Sequence, residues 1–561
     1  MRSKLLKCER NSPLDEKQSS ESEERTSAQA DSPNEPRRDQ THRTLKGRHI
    51  QLISIGGTIG TVLFVQIGSA LPIGGPGSLL VAILLWSTVV LAINNCLAEM
   101  VTWIPISSPY VRFADRFVDE AMGVCSGINL FFGIGLGIPY ELTAFNLMLN
   151  FWTDKIPVVS VNFFMIVAYA AINLFAVRFY GETEFYLAIG KVILIVGLTI
   201  FTFVVMVGGN PEHDAFGFRN WKVPGAPFVA YVYEGPRGQF LGFLGCLVQA
   251  AFTVGGPEYT AITAGEAAHP RHTLPRSFRT ITTRLLVFFG LGALSVGILV
   301  PYTDPNLLAT AAVRPGAGTS PYVIAMERLR LGGLAHAVNA LVMLSIFSAG
   351  NNYVYTASRT LFGLALEGRV PRVLAKCNSR GVPVYSICVT MILSLLAFLQ
   401  LSHTSAVVLL WITRLVTVSA MANYAIIALT YLRFHAALKA QGISRESLPH
   451  RSAWQPFCAY VCHRFPFRRR VIVVSDRYYA FTASFAMCFI AGYAVFLPGH
   501  WNAITFVFSY ALFVILPVIF FAWKFLRGTR RRILSEVDFF TAERAEVDAY
   551  ECGLETDSSK A

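Results

Sequence analysis

Charged residues are scarce in this chain: Asp, Glu, Lys and Arg make up 15% of its 561 residues, against about 25% in ordinary soluble domains. That shortage excludes the surface of a soluble enzyme. Cysteine is missing from the places where disulfides would matter. Of the ten cysteines, Cys96, Cys125, Cys246, Cys388 and Cys488 fall in apolar stretches. Cys8, Cys377, Cys458, Cys462 and Cys552 fall in polar segments on the inferred cytoplasmic side, so no structural disulfide is expected. Cys458 and Cys462 lack the second pair that a zinc site needs, and neither metal nor cofactor is expected. A spaced catalytic triad and a phosphate-binding loop are both absent, so the chain does not read as an enzyme. Residues 1–49 lack the apolar core of a signal peptide, which leaves insertion to the first spanning helix.

What the chain does have is hydrophobic sequence, 53% of the total. About twelve stretches reach the ~20 residues needed to cross a bilayer. The expected fold is therefore an all-α polytopic membrane protein, with a transmembrane domain over 49–527. A disordered N-terminal tail, 1–48, and a C-terminal tail, 528–561, flank it. The net charge of +13 is not read as a nucleic-acid signal, because most Lys and Arg fall in alternate loops. That bias places both termini in the cytoplasm. Lys4, Lys7 and Lys17 stand beside serines in the polar tail. They are candidate modification sites and would make the tails docking segments for ubiquitin-ligase or trafficking factors; the simpler reading is a solvated tail.

Two apolar spans are interrupted in their middles, at ISIGGTIGTVLF (53–64) and TVGGPEYTAITAGE (253–266). Lipid offers no hydrogen-bond partner to an unwound backbone, so such breaks belong where they face protein or a cavity. Gly56, Gly57, Gly60 and Thr61 weaken the first helix, and Pro257 removes a donor from the second. The breaks open the first and sixth spans, which predicts a five-plus-five inverted repeat with two appended helices. The competing reading treats the glycines as helix-packing residues. The candidate substrate-binding set is Gly56, Gly57, Thr58, Gly60, Thr61, Glu141, Gly255, Gly256, Glu258 and Tyr259.

These segments resemble the fungal amino-acid permeases of the amino acid–polyamine–organocation superfamily. The resemblance runs through RHIQLISIGGTIG (48–60), LAEM (97–100), YELTA (140–144), NLFAVRFYGETEFYLAIGKV (173–192), GGPEYTAITAGEAAHPRHTLPRSF (255–278) and SAGNNYVYTASRTLFGLALEGRVP (348–371). GGNPEHDAFGFRN and RPGAGTSPYVIAM resemble the branch associated with carnitine and polyamine uptake. The resemblance implies a plasma-membrane carrier that imports amino acids or related amines, with a ligand carboxylate at the first break and its ammonium at the sixth. It also implies that Lys191, where sodium-coupled relatives hold sodium, takes up and releases a proton. Glu258 would accept a proton or meet a cationic group.

Two residues depart from the family pattern. Relatives read GTGLF after the first break, and Val62 stands here in place of that second glycine. A branched side chain obstructs close approach to the backbone. Arg414, in the tenth span, needs a cavity, the membrane rim, or a carboxylate such as Glu141, Glu258 or that of a ligand. Glu99 and Glu184, at the ends of spans, are expected to pair with arginines. The rival reading is a nutrient sensor that binds ligand and transports little.

Overall fold

The computed structural model describes residues 43–551 except 44, 176, 223–226, 312–319, 402–404, 452–475, 540–546 and 549–550. Most of the N-terminal tail, the modification candidates Lys4, Lys7 and Lys17, and the cysteines at 8, 458, 462 and 552 lie outside the described residues. Among those described, nine helices are long and apolar enough to cross a bilayer, and a pair bent by 41° makes a tenth.

The chain begins with α1 (Gly47–Thr58) and the four-residue α2 (Thr61–Phe64), followed by α3 (Leu71–Trp103) and the short α4 (Pro109–Phe117). Next come α5 (Glu120–Gly135), α6 (Gly137–Leu149), α7 (Val158–Phe175), α8 (Val177–Met206), α9 (Gly235–Thr253) and α10 (Pro257–Ile262). The second half holds α11 (Pro270–Arg284), α12 (Leu291–Leu299), α13 (Pro305–Ala311), α14 (Pro321–Arg328), α15 (Gly332–Leu366), α16 (Val384–Ser394) and α17 (Ser405–Ala440). It closes with α18 (Asp476–Ile490), α19 (Ala503–Tyr510) and α20 (Leu512–Arg527). The expected count of twelve is reached only by adding the broken α1–α2 span and the short apolar helix Tyr478–Ile490.

Each interruption has a local cause. Pro257 opens α10, and Gly256 before it sits at φ 137°, a backbone conformation that an L side chain resists. Inside α3, Gly75 has φ 79° and Pro76 carries no N–H. The neighbouring backbone turns to the long loop before α9 instead. Gly77 N–H donates to Pro227 O at 2.8 Å, and Val229 N–H donates to Gly74 O at 2.9 Å. The loop is thereby laid across one end of the bundle.

The opposite end is knitted by ion pairs. Asp115 meets Arg369 at 2.5 Å and Arg532 at 3.1 Å, and Arg112 meets Glu367 at 2.5 Å. Lys524 reaches Asp119 at 2.5 Å, Arg359 reaches Glu266 at 3.1 Å, and Glu99 pairs with Arg445. Both ends of the described chain are fastened here too. Leu45, assigned to the tail by its polar neighbours, is fully buried, and its N–H donates to Glu266 O at 3.0 Å. Val537 and Phe539, also assigned to a tail, are buried, and the Phe539 ring lies 5.8 Å from Phe117. Tail composition concealed these anchors because single apolar residues carry no periodic signal.

Candidate functional site

A cavity of about 80 Å³ lies where the two breaks meet. Five of the sequence-predicted residues line it: Gly57, Thr58, Gly255, Glu258 and Tyr259. Gly56, Gly60, Thr61, Glu141 and Gly256 are not among its lining residues. The breaks touch through glycine: a Cβ on Gly256 would come within 2.7 Å of Thr58 Cγ2, and one on Gly57 within 2.7 Å of the Tyr259 ring.

The first break is narrower than its glycine content suggests. Gly56 and Gly57 are helical, and the chain turns extended only at Ile59. Their absent side chains admit Glu184 and Tyr259 rather than unwinding the helix. Because α1 ends at Thr58, carbonyls of its last turn lose their usual partners. Gly56 O receives one from elsewhere: the buried Lys191 ammonium donates to it at 2.6 Å. The ammonium thus meets the negative end of the α1 dipole.

Two buried carboxylates flank this region. Glu141 accepts from the Thr61 hydroxyl at 2.5 Å, while its other oxygen has no partner among the described residues. Glu184 accepts from Ser348 Oγ at 2.7 Å and lies against Gly56. The arginine partner expected for Glu184 is therefore corrected. Helix α8 starts at Val177, which sinks Glu184 about 10 Å along its axis, beyond the rim. Glu99, by contrast, has the expected arginine, Arg445.

At the second break, the Glu258 carboxylate accepts from the Tyr424 hydroxyl at 3.1 and 3.3 Å and from Gly256 N–H at 3.3 Å. These three contacts fix it at the cavity wall without a cation among the described residues. Arg414 does not supply one. It donates to Ser509 Oγ at 3.1 Å and lines a different cavity. The reason is register: Arg414 and Tyr424 share α17 but stand ten residues, about 15 Å, apart.

Sequence reasoning missed Tyr424, Asn423, Phe252 and Tyr110, all of which line the cavity. The adjacent Asn423 and Tyr424 inside an apolar span were the available signal. Asn423 Oδ1 is buried without a partner among the described residues. Tyr110 comes from α4, a connecting helix in which no pattern marks a residue bound for the centre.

Gly256→Ala tests the meeting of the breaks. Its Cβ would enter both a disfavoured φ and the Thr58 side chain, so strain of about 1–3 kcal/mol is expected. Lower thermal stability in detergent and loss of uptake should follow. Gly197→Ala, where a Cβ meets nothing within 4 Å, should change neither.

Comparison with known proteins bears on the family and the fold. Residues 49–535 match the amino acid permease family. The general amino acid permease AGP2 of Saccharomyces cerevisiae is 41% identical over 91% of this chain and 84% of its own length. The proline-specific permease of Emericella nidulans is 36% identical over 91% and 89%. The basic amino-acid permease of Saccharomyces cerevisiae is 36% identical over 83% and 80%. In fold, the chain is similar to the manganese transporter of Eremococcus coleocola, with a TM-score of 0.52 at 11% identity, covering 86% of this chain and 94% of that one.

Proposed function

The chain belongs to the amino acid permease family, and from that premise we propose that it imports amino acids or related amines, carnitine and polyamines among them, by proton symport across the plasma membrane. The observation that carries this reading is the cavity between two broken helices, walled by a carboxylate with no cationic partner among the described residues. Half-helix ends bring opposite partial charges to such a site, which suits a zwitterion. A ligand ammonium would meet Glu258, with Tyr259 and Tyr353 offering ring faces. Lys191 supports proton coupling, because it is buried and held by a helix-end carbonyl that loses its geometry if the break moves. Attachment of the N- and C-terminal segments at one charged end supports a cytoplasmic location for both.

Uptake of labelled amino acids, carnitine and spermidine by permease-deficient cells expressing the chain tests the proposal. Accumulation of any one supports a carrier. Cell-surface protein with no uptake across the panel would favour a ligand sensor. The observation on the sensor's side is Val62, which lines the small cavity. Val62→Gly is expected to widen or strengthen uptake of ordinary zwitterionic amino acids. An unchanged substrate profile would remove Val62 from specificity.

A further inference from the structure

We propose that Arg414 forms a second, outer binding site for the carboxylate of a small amino-acid-like ligand, separate from the cavity between the breaks. The site is a cavity of about 250 Å³ lined by Tyr231, Gln249, Phe252, Arg414, Tyr493 and Ser509 among others. Its mouth is at the end of the bundle that carries the long loop, since Tyr231 belongs to that loop. Arg414 is the one charged residue in the described lining. Among the described residues it donates to Ser509 Oγ at 3.1 Å, and its Nε is buried with no partner there.

A guanidinium within a membrane-spanning helix is costly to insert and needs a partner or a cavity. Neutral hydroxyls offset little of that cost, whereas a carboxylate would match its planar fork. The aromatic walls suit the other half of such a ligand, because Tyr231 and Tyr493 line the cavity and tyrosine rings attract an ammonium. Phe252 lines this cavity and also the one between the breaks. It therefore stands between the two cavities, where a ligand released by Arg414 would meet it. Tyr424, whose hydroxyl bonds Glu258, stands ten residues along α17 from Arg414, about 15 Å between backbones, so the two sites sit at different depths. The two sites act in sequence, carboxylate first at Arg414 and ammonium later at Glu258. Val62 gives this order a use, because its branched side chain lines the cavity between the breaks and narrows it.

The inference rests on the proposed orientation, which puts this mouth outside the cell. A cysteine reporter separates the two claims. Thr413→Cys lines the cavity beside Arg414, and Thr417→Cys, one turn deeper, serves as a second reporter if the first misfolds. Each is labelled in intact and in permeabilised cells with anionic sulfonatoethyl or cationic trimethylammonium methanethiosulfonate. The anionic reagent is expected to react at least about tenfold faster, and Arg414→Gln is expected to erase that preference. Glycine and acetate should slow the labelling and methylamine should not. Equal rates for the two reagents, or no labelling in either preparation, would overturn the site. A charge preference without protection by glycine or acetate would reduce it to a fixed positive potential and overturn ligand binding. Labelling confined to permeabilised cells would overturn the orientation, while the rate ratio and the protection would still decide Arg414.

Discussion

Lys191→Ala is expected to abolish uphill accumulation while leaving ligand binding intact. The ammonium donates to Gly56 O at 2.6 Å, one residue before Gly57 at the cavity wall. A charge there is tied to the end of α1, and α1 is one of the two helices whose break forms the site. Losing the proton would release the α1 end; regaining it would lock the end again. Glu141 and Glu184 stand on either side of this contact, bonded to Thr61 and Ser348. An alanine cannot follow the proton, so the cycle would run downhill only. Exchange of labelled for unlabelled ligand should persist. The check is uptake against an outward ligand gradient, measured across external pH. Concentrative, pH-dependent uptake by Lys191→Ala would remove the lysine from coupling.

Glu258→Gln should lower uptake of cationic or zwitterionic substrates at least about tenfold, equivalent to ~1.4 kcal/mol, at unchanged cell-surface expression. The amide keeps the size of the carboxylate and can still accept from Tyr424 and from Gly256 N–H. Only the negative charge facing the cavity is lost. Tyr424→Phe complements it, removing the hydroxyl that bonds both carboxylate oxygens at 3.1 and 3.3 Å. Normal uptake kinetics in Glu258→Gln would assign the residue to bracing the break and move ammonium recognition to backbone carbonyls.

The membrane class and the two interrupted spans were legible in the chain because both are written locally. Long apolar runs, Pro257 and the Gly255–Gly256 pair each act within a turn or two of themselves. The exact point of the first break was not legible. Gly56 and Gly57 read as helix breakers, yet they stay helical because Glu184 and the Tyr259 ring fill the space a side chain would need. That packing joins residues far apart in sequence, and no window around residue 56 contains it. Arg414 shows the same limit from the electrostatic side. Its charge suggested a buried partner at Glu141 or Glu258, but α17 carries it a cavity away. Tyr424 and Tyr110 reach the site through the way α17 and α4 pack, which only the assembled bundle reveals.

In the proposed cycle the chain would move its ligand inward at the expense of a proton gradient. Purified protein in sealed vesicles, given an inward proton gradient and the labelled compound best retained in the cell panel, tests it directly. Accumulation above the external concentration is expected, collapsing when a protonophore is added and failing in Lys191→Ala vesicles. Saturable binding to the same protein with no gradient-dependent accumulation would contradict it and leave a sensor.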